Sequence, residues 1–230
     1  MFILSKIVPI KNTTIIMKSE QYYSAQMLLF SEFVLVGSYL QSGSHLSIGV
    51  SSALSKKYNY CRCRQLEELI SLANKENDNI IMTGDFNFDL NGDPDVWTEL
   101  NIIDELGLSD EWKGIYPNDK GFTEDEIVNV MRYNSKPSIP GILEKEPKQV
   151  RYDGMLIKRN FFGILQTKEM KILGKEKIGS VDCKLLIEEL INRGFDVNII
   201  REILKYDDDK KTRISLFPSD HFGVVASIEL

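Results

Sequence analysis

Asn79-Ile80-Ile81-Met82-Thr83-Gly84-Asp85-Phe86-Asn87-Phe88-Asp89 reads as an apolar strand that stops at a glycine and is followed at once by polar side chains. Ligands of α/β sheets gather at the carboxyl edge of such strands. In extended backbone Asp85 and Asn87, two residues apart, project to the same side. A carboxylate beside a carboxamide can orient a water and hold a phosphoryl oxygen. The same two residue types also cap turns, and the segment alone leaves both readings open.

Outward from this stretch, further β-like runs occur at Met27–Phe30, Phe33–Val36, Val150–Ile157 and Gly223–Glu229. Tyr60–Leu72 has helical periodicity, with Leu66, Leu69, Ile70 and Leu72 opposite Arg62, Glu67 and Glu68. Asp95–Glu105 predicts a second, shorter helix. Asp182–Leu190 and Val197–Leu204 predict a helical pair broken at Asn192-Arg193-Gly194. The stretch from Asn134 to Pro147 holds three prolines and a glycine and reads as a loop. Strands and helices alternate, so the class is α/β or α+β, and no linker divides residues 1–230, which read as a single domain.

The chain has 230 residues, 43% of them hydrophobic and 27% charged, with net charge −6. Collagen-like, wholly disordered and multi-span membrane classes are excluded, and the chain as a whole is no basic nucleic-acid glove. A local basic patch from Arg62, Arg64, Lys158 and Arg159 is an expectation beside the plainer one of a solvated surface. Three cysteines, Cys61, Cys63 and Cys183, with two histidines, His45 and His221, give no zinc-ligand spacing. Reduced thiols and the lack of a signal-peptide pattern set the expectation of an intracellular protein.

Two more segments carry chemistry. Arg151-Tyr152-Asp153-Gly154-Met155-Leu156-Ile157 places Asp153 in an otherwise apolar strand, where an unpaired carboxylate is costly. Phe217-Pro218-Ser219-Asp220-His221-Phe222-Gly223 puts His221 beside Asp220 just ahead of the apolar strand from Val224 to Ile228. His221 is the natural partner for Asp153, since an Asp–His pair fixes the tautomer and favours imidazolium.

Together, Gly84-Asp85-Phe86-Asn87, Arg151-Tyr152-Asp153 and Ser219-Asp220-His221 resemble, in order, the motifs of the endonuclease/exonuclease/phosphatase family. Leu4-Ser5-Lys6 with Pro9, Val36-Gly37-Ser38-Tyr39-Leu40, Arg62-x-x-Gln65-Leu66, Asp110-Glu111-Trp112 and Gly121-Phe122-Thr123 are similar to further family segments. Phe217-Pro218-Ser219-Asp220-His221-Phe222-Gly223 is closest in wording to the 5′-tyrosyl-DNA phosphodiesterase branch. The resemblance covers nearly the whole chain except Ser180–Asp209, which reads as a helical insertion. It implies a four-layer α/β sandwich of two mixed sheets and a hydrolase of phosphate esters, DNA or RNA among them, that uses Mg²⁺ or Mn²⁺.

By the same resemblance Asp85 positions and deprotonates the attacking water, and Asn87 hydrogen-bonds water or phosphate. His221 donates to the non-bridging oxygens, Asp153 orients His221, and Asp220 holds the metal or its water shell. Two departures stand out. Tyr39 occupies a position where the family usually has His. The family's Asn-bearing strand and its Gln-Glu strand, whose Glu is the principal metal ligand, do not precede Leu4-Ser5-Lys6. The domain therefore reads as N-terminally truncated, with weak or no activity alone and a sheet edge open to association or to a separate N-terminal part. Three readings follow: a fragment of a longer gene, an inactive relative that binds phosphate or a partner, or a site in which Asp89 or Asp93 takes over the metal. From another class, Asn87-x-Asp89-x-Asn91-Gly92-Asp93 resembles the opening of an EF-hand calcium loop, although Thr98 stands at its twelfth position and a strand precedes it.

Overall fold

The computed structural model describes residues 7–19, 23–43, 51–129, 148–160, 165–182, 188, 191–192, 213–216 and 218–229. The chain forms two compact units, Met1–Gly121 with Arg151–Lys171 and Val224–Leu230, and Phe122–Val150 with Ile172–Gly223. Strands β1 (Lys11–Ile16), β2 (Ser24–Leu29) and β3 (Val34–Tyr39) open the first unit, and helix α1 (Ser52–Ala73) leads to β4 (Ile80–Asp85). Helix α2 (Glu99–Glu105), strand β5 (Ser109–Asp110) and helix α3 (Glu111–Ile115) follow. Across residues 124–158 come β6 (Glu124–Asp125), β7 (Gln149–Val150) and β8 (Asp153–Lys158). The last strands are β9 (Gln166–Leu173), β10 (Gly179–Asp182), β11 (Arg213–Leu216) and β12 (Gly223–Glu229). One six-stranded mixed sheet runs β1-β2-β3-β4-β8-β5, accompanied by the ribbons β9–β12, β6–β7 and β10–β11. Only β3 and β4 are parallel within the large sheet, as a pair joined through a helix should be.

Strand alternation assigns the two faces of that sheet. Leu35, Ile81 and Ile157 stand side by side in register and share one face. Leu165 and Ile228 pack with them, so the β9–β12 ribbon contributes to covering this side. Val36, Met82 and Leu156 form the adjacent rung, project to the opposite face and are fully buried. Helix α1 packs on β3 and buries Leu66, Leu69, Ile70 and Ala73. Covering both faces is why Ile80-Ile81-Met82 is an unbroken apolar run. Ser51 caps α1 by accepting the Leu54 N–H at 3.2 Å.

Mixed α/β architecture is thus as expected, and several local expectations are corrected. Strand β1 and most of β9 gave no usable sequence signal, because β9 is largely exposed and its residues Thr167 to Lys171 are mostly polar. The helix expected from Asp95 starts at Glu99, since Asp93 to Thr98 is folded into turns by the Asp93 carbonyl and carboxylate. The Val150–Ile157 run is two strands, broken where Arg151 and Tyr152 lend their carbonyls to Leu90 and Phe86. Asp182 ends strand β10 instead of opening a helix. The rest of the expected helical pair, the 134–147 loop and Leu4-Ser5-Lys6 lie outside the described residues, apart from helical Glu188, Ile191 and Asn192.

The expected basic patch does not form. Arg62 is fully buried, donating to Glu99 at 2.6 Å, to the Gln41 and Gly43 carbonyls and to Asn59. Arg159 grips Glu111 with both terminal nitrogens, and Lys158 donates to Asn74. Only Arg64 is a surface cation, paired with Glu67 one turn on. Cys61 and Cys63 are thiols outside any disulfide, and burial together with the Glu99 charge pushes Cys63 up to about 11. Among the described residues no helix is long and apolar enough to cross a membrane.

Removing one member of a buried ion pair strands the other's charge. Glu99→Ala is expected to cost about 3–5 kcal/mol in urea unfolding. Glu99→Gln is expected to cost markedly less, because it keeps an oxygen for Arg62 and its amide replaces Oε2, which has no hydrogen-bond partner.

Candidate active site

Tyr39, Asp85 and Asp153 stand in one row across three neighbouring strands: Tyr39 opposite Asp85 in the parallel β3–β4 pair, Asp85 opposite Asp153 in the antiparallel β4–β8 pair. By alternation they share the face of Leu35, Ile81 and Ile157, with Gly37, Thr83 and Met155 between. The face therefore turns from apolar to ionic at the carboxyl end of β4. A carboxylate oxygen of Asp85 and one of Asp153 lie within 4.8 Å of each other.

The rung between is made of small residues. Ser38, Gly84 and Gly154 are in register, and Gly84 has φ +139. A Cβ at Gly84 would come within 1.8 Å of the Ser38 carbonyl oxygen, so glycine is required for the strands to meet here. Thr83 Oγ1 adds a 3.0 Å hydrogen bond to the Gly154 carbonyl.

Asp85 and Asn87 do come together, by a route other than extended backbone. Asn87 is in the left-handed region at φ +56, and its N–H donates to Asp85 Oδ1 at 2.8 Å. Its Nδ2 donates to the Leu40 carbonyl at 2.9 Å. An Asx turn is thus built at the carboxyl end of β4, as the turn-capping reading has it. Phe86 and Phe88, fully buried, anchor the turn from below.

Arg151, which had no role of its own in the sequence reading, secures the loop that follows. It is 1% exposed and forms a bidentate pair with Asp110, with further donation to Asn91 Oδ1. The acids of the calcium-loop reading lie in this loop. Asp89 Oδ1 accepts the Asn91 and Arg151 N–H groups, Asp93 Oδ1 accepts the Asp95 N–H, and the Arg151 guanidinium donates to the Asn91 oxygen. Asp89 and Asp93 thus each hold a turn through one carboxylate oxygen.

Tyr39 is more than a substituted histidine. It is 38% exposed and packs edge-on to Tyr23 at 4.9 Å. Burial, then the Asp85 carboxylate and Tyr23, raise its pKa above 10, against a lowering contribution from Asn87. The phenol is therefore a neutral donor at physiological pH, beside the two aspartates.

His221 and Asp220 belong to the second unit. There His221 Nε2 is 3.7 Å from Glu124 Oε2, and Glu124 is completely buried. The same oxygen receives Lys148 Nζ at 3.2 Å. Asp220 is exposed and accepts from Ser219 Oγ at 3.3 Å. Glu124 lies within the acidic run Glu124-Asp125-Glu126, where nothing in the sequence marks it off from a solvated surface.

No family model matches the chain, and no curated relative does. Solved structures do. TDP2 from D. rerio, crystallised with a single-strand DNA product, superposes with TM-score 0.58 at 14% identity, covering 96% of this chain and 68% of that one. TDP2 from C. elegans gives 0.52 at 17% identity, covering 96% and 50%. SmcL gives 0.51 at 14% identity, covering 90% and 58%. The chain thus spans half to about two thirds of these proteins and shares their α/β fold.

The electrostatics of the Tyr39 row are open to titration. Asp85→Asn removes a negative charge that disfavours the phenolate, so the Tyr39 midpoint is expected to fall toward 10 in an ultraviolet absorbance titration. Tyr39→Phe identifies its contribution among the nine tyrosines. An unchanged midpoint would show that the carboxylate does not act on the phenol.

Proposed function

We propose that this chain is a divalent-metal-dependent phosphodiesterase-type hydrolase domain acting on a phosphate ester, and that residues 1–230 work as one functional domain. The observation that carries this reading is the row Tyr39–Asp85–Asp153, with Asn87 turned in beside it, at the carboxyl end of a central strand of a TDP2-like fold. Two half-buried carboxylates side by side repel each other and suit a hard cation, Mg²⁺ or Mn²⁺, which prefers oxygen donors. Such an ion supplies charge neutralisation at the phosphoryl group.

The chain's own groups then have distinct parts. Asp85, its Oδ1 fixed by the Asn87 N–H, orients a water and takes its proton as the oxygen attacks phosphorus; the ester P–O bond on the opposite side breaks, and the departing alkoxide takes a proton from solvent. Asn87 and Tyr39 hydrogen-bond the phosphoryl oxygens. His221 donates to the non-bridging oxygens as charge grows on them. Asp220 keeps the role of metal ligand, direct or through water, that the motif resemblance gives it. Asp153 orients His221, as the resemblance implies, and strand register also sets it opposite Asp85. DNA is the substrate class to test first, on the likeness to a TDP2 crystallised with a DNA product.

Turnover of bis(p-nitrophenyl) phosphate and of 5′-tyrosyl DNA is expected with Mn²⁺ or Mg²⁺ and not with chelator. Asp85→Asn, Asn87→Ala and His221→Ala are each expected to lower kcat by about 100-fold or more, with circular dichroism unchanged. Absence of turnover together with phosphate binding that His221→Ala abolishes would replace this reading by that of a phosphate-binding module. Neither turnover nor binding would overturn both.

A further inference from the structure

We infer that the Tyr39 ring, held by Tyr23, is a stacking wall that selects phosphate esters carrying a planar aromatic group, a nucleobase or an aryl ring, over aliphatic ones. The inference rests on the reading above, in which the phosphoryl group meets Asp85 and Asp153, and names the kind of ester that site takes. Tyr39 is 38% exposed, whereas Ser38 and Leu40 on either side of it are fully buried. It is the last side chain of β3 on the face of the two aspartates. Gly37, two residues back on that face, brings no side chain against the ring. Neighbouring strands lie about 4.8 Å apart, so a phosphoryl group over the aspartates has its substituents within reach of Tyr39.

The ring is also held in place. Tyr23 meets it edge-on, with centroids 4.9 Å apart and planes at 73°. Tyr23 is itself anchored: its N–H donates to Ser19 Oγ at 2.8 Å, its carbonyl accepts the Met17 N–H at 3.0 Å, and its hydroxyl donates to Ser42 Oγ at 2.7 Å. Ser42 lies between Gln41 and Gly43, whose carbonyls the buried Arg62 holds at 3.0 and 2.8 Å. From the other side, the Leu40 N–H donates to the Asp85 carbonyl at 3.0 Å, and the Leu40 carbonyl accepts Asn87 Nδ2. A ring fixed before the ligand arrives loses little freedom on stacking. Stacking accepts any planar partner, so the preference is for a flat face on the ester and not for one base. An aromatic face also attracts quaternary ammonium groups. Once a divalent cation neutralises the two carboxylates, however, no net charge remains to favour an ammonium over a neutral ring.

Calorimetric titration of the full chain in Mg²⁺ compares thymidine 5′-phosphate, phenyl phosphate, 2-deoxyribose 5-phosphate and phosphocholine. At least one of the two ring-bearing phosphates is expected to bind about tenfold tighter than the deoxyribose phosphate. Which one does so separates a nucleobase from an aryl ring. Tyr39→Phe is expected to keep that ratio, and Tyr39→Leu, apolar but without a planar face, to abolish it. The ratio is the readout, because losing the hydroxyl acts on all the phosphates alike. Should Tyr39→Leu fail to fold, Tyr23→Leu, which frees the ring, is expected to lower the ratio about threefold. Equal affinity for ring-bearing and ring-free phosphates in the wild type, no binding of any of them, a ratio that persists in Tyr39→Leu, or tightest binding of phosphocholine would overturn the inference. Turnover without a ring preference would remove the inference and leave the proposed function. A ring preference without turnover would remove the hydrolase reading alone.

Discussion

Asp85 and Asp153 face each other across two hydrogen-bonded antiparallel strands, and the geometry around them follows from that juxtaposition. Like charges directly opposite in a sheet are destabilising. The register cannot slip to relieve this repulsion. Moving β8 by one residue would turn Met155 and Ile157 away from Leu165 and Ile228, so the apolar end of the sheet enforces the charged end. Gly84 lets β4 close on β3 one rung earlier, where a Cβ would meet the Ser38 carbonyl.

Around this pair the chain builds a rigid support from buried polar groups. Arg151 binds Asp110 and Asn91, which holds the 86–91 loop on the start of β8. Arg62 and Glu99 do the equivalent between α1 and α2, with the arginine also holding the Gln41 and Gly43 carbonyls after β3. Both arginines are buried and multiply bonded, and they serve as internal scaffolding. In the proposed function, phosphate handling falls to Tyr39, Asn87, His221 and a divalent cation.

Much of this was legible in the sequence for identifiable reasons. The strand ending in Gly84-Asp85, the Asp153 that interrupts an apolar run and the α1 periodicity are local patterns, and each lies where its pattern places it. What sequence reading missed depends on contacts distant along the chain. Arg62 looked like a solvent-facing charge because its partner Glu99 is 37 residues away. Glu124 sits in an acidic run, and only the docking of residues 219–222 sets it apart. Asn87 was expected to be extended, but the Asp85 carboxylate bends the chain back through its own N–H. Strand β1 gave no signal because Lys11-Asn12-Thr13-Thr14 has no apolar alternation, and it forms by pairing with β2.

The most direct test of the central claim is thermal unfolding with rising Mn²⁺. A ligand that binds only the folded chain raises stability by mass action, and a cation held by the facing aspartates also cancels their repulsion. The account predicts that Tm climbs with Mn²⁺ in the wild type and that the climb disappears in Asp153→Asn. A wild-type Tm indifferent to Mn²⁺, or an equal rise in Asp153→Asn, would contradict it.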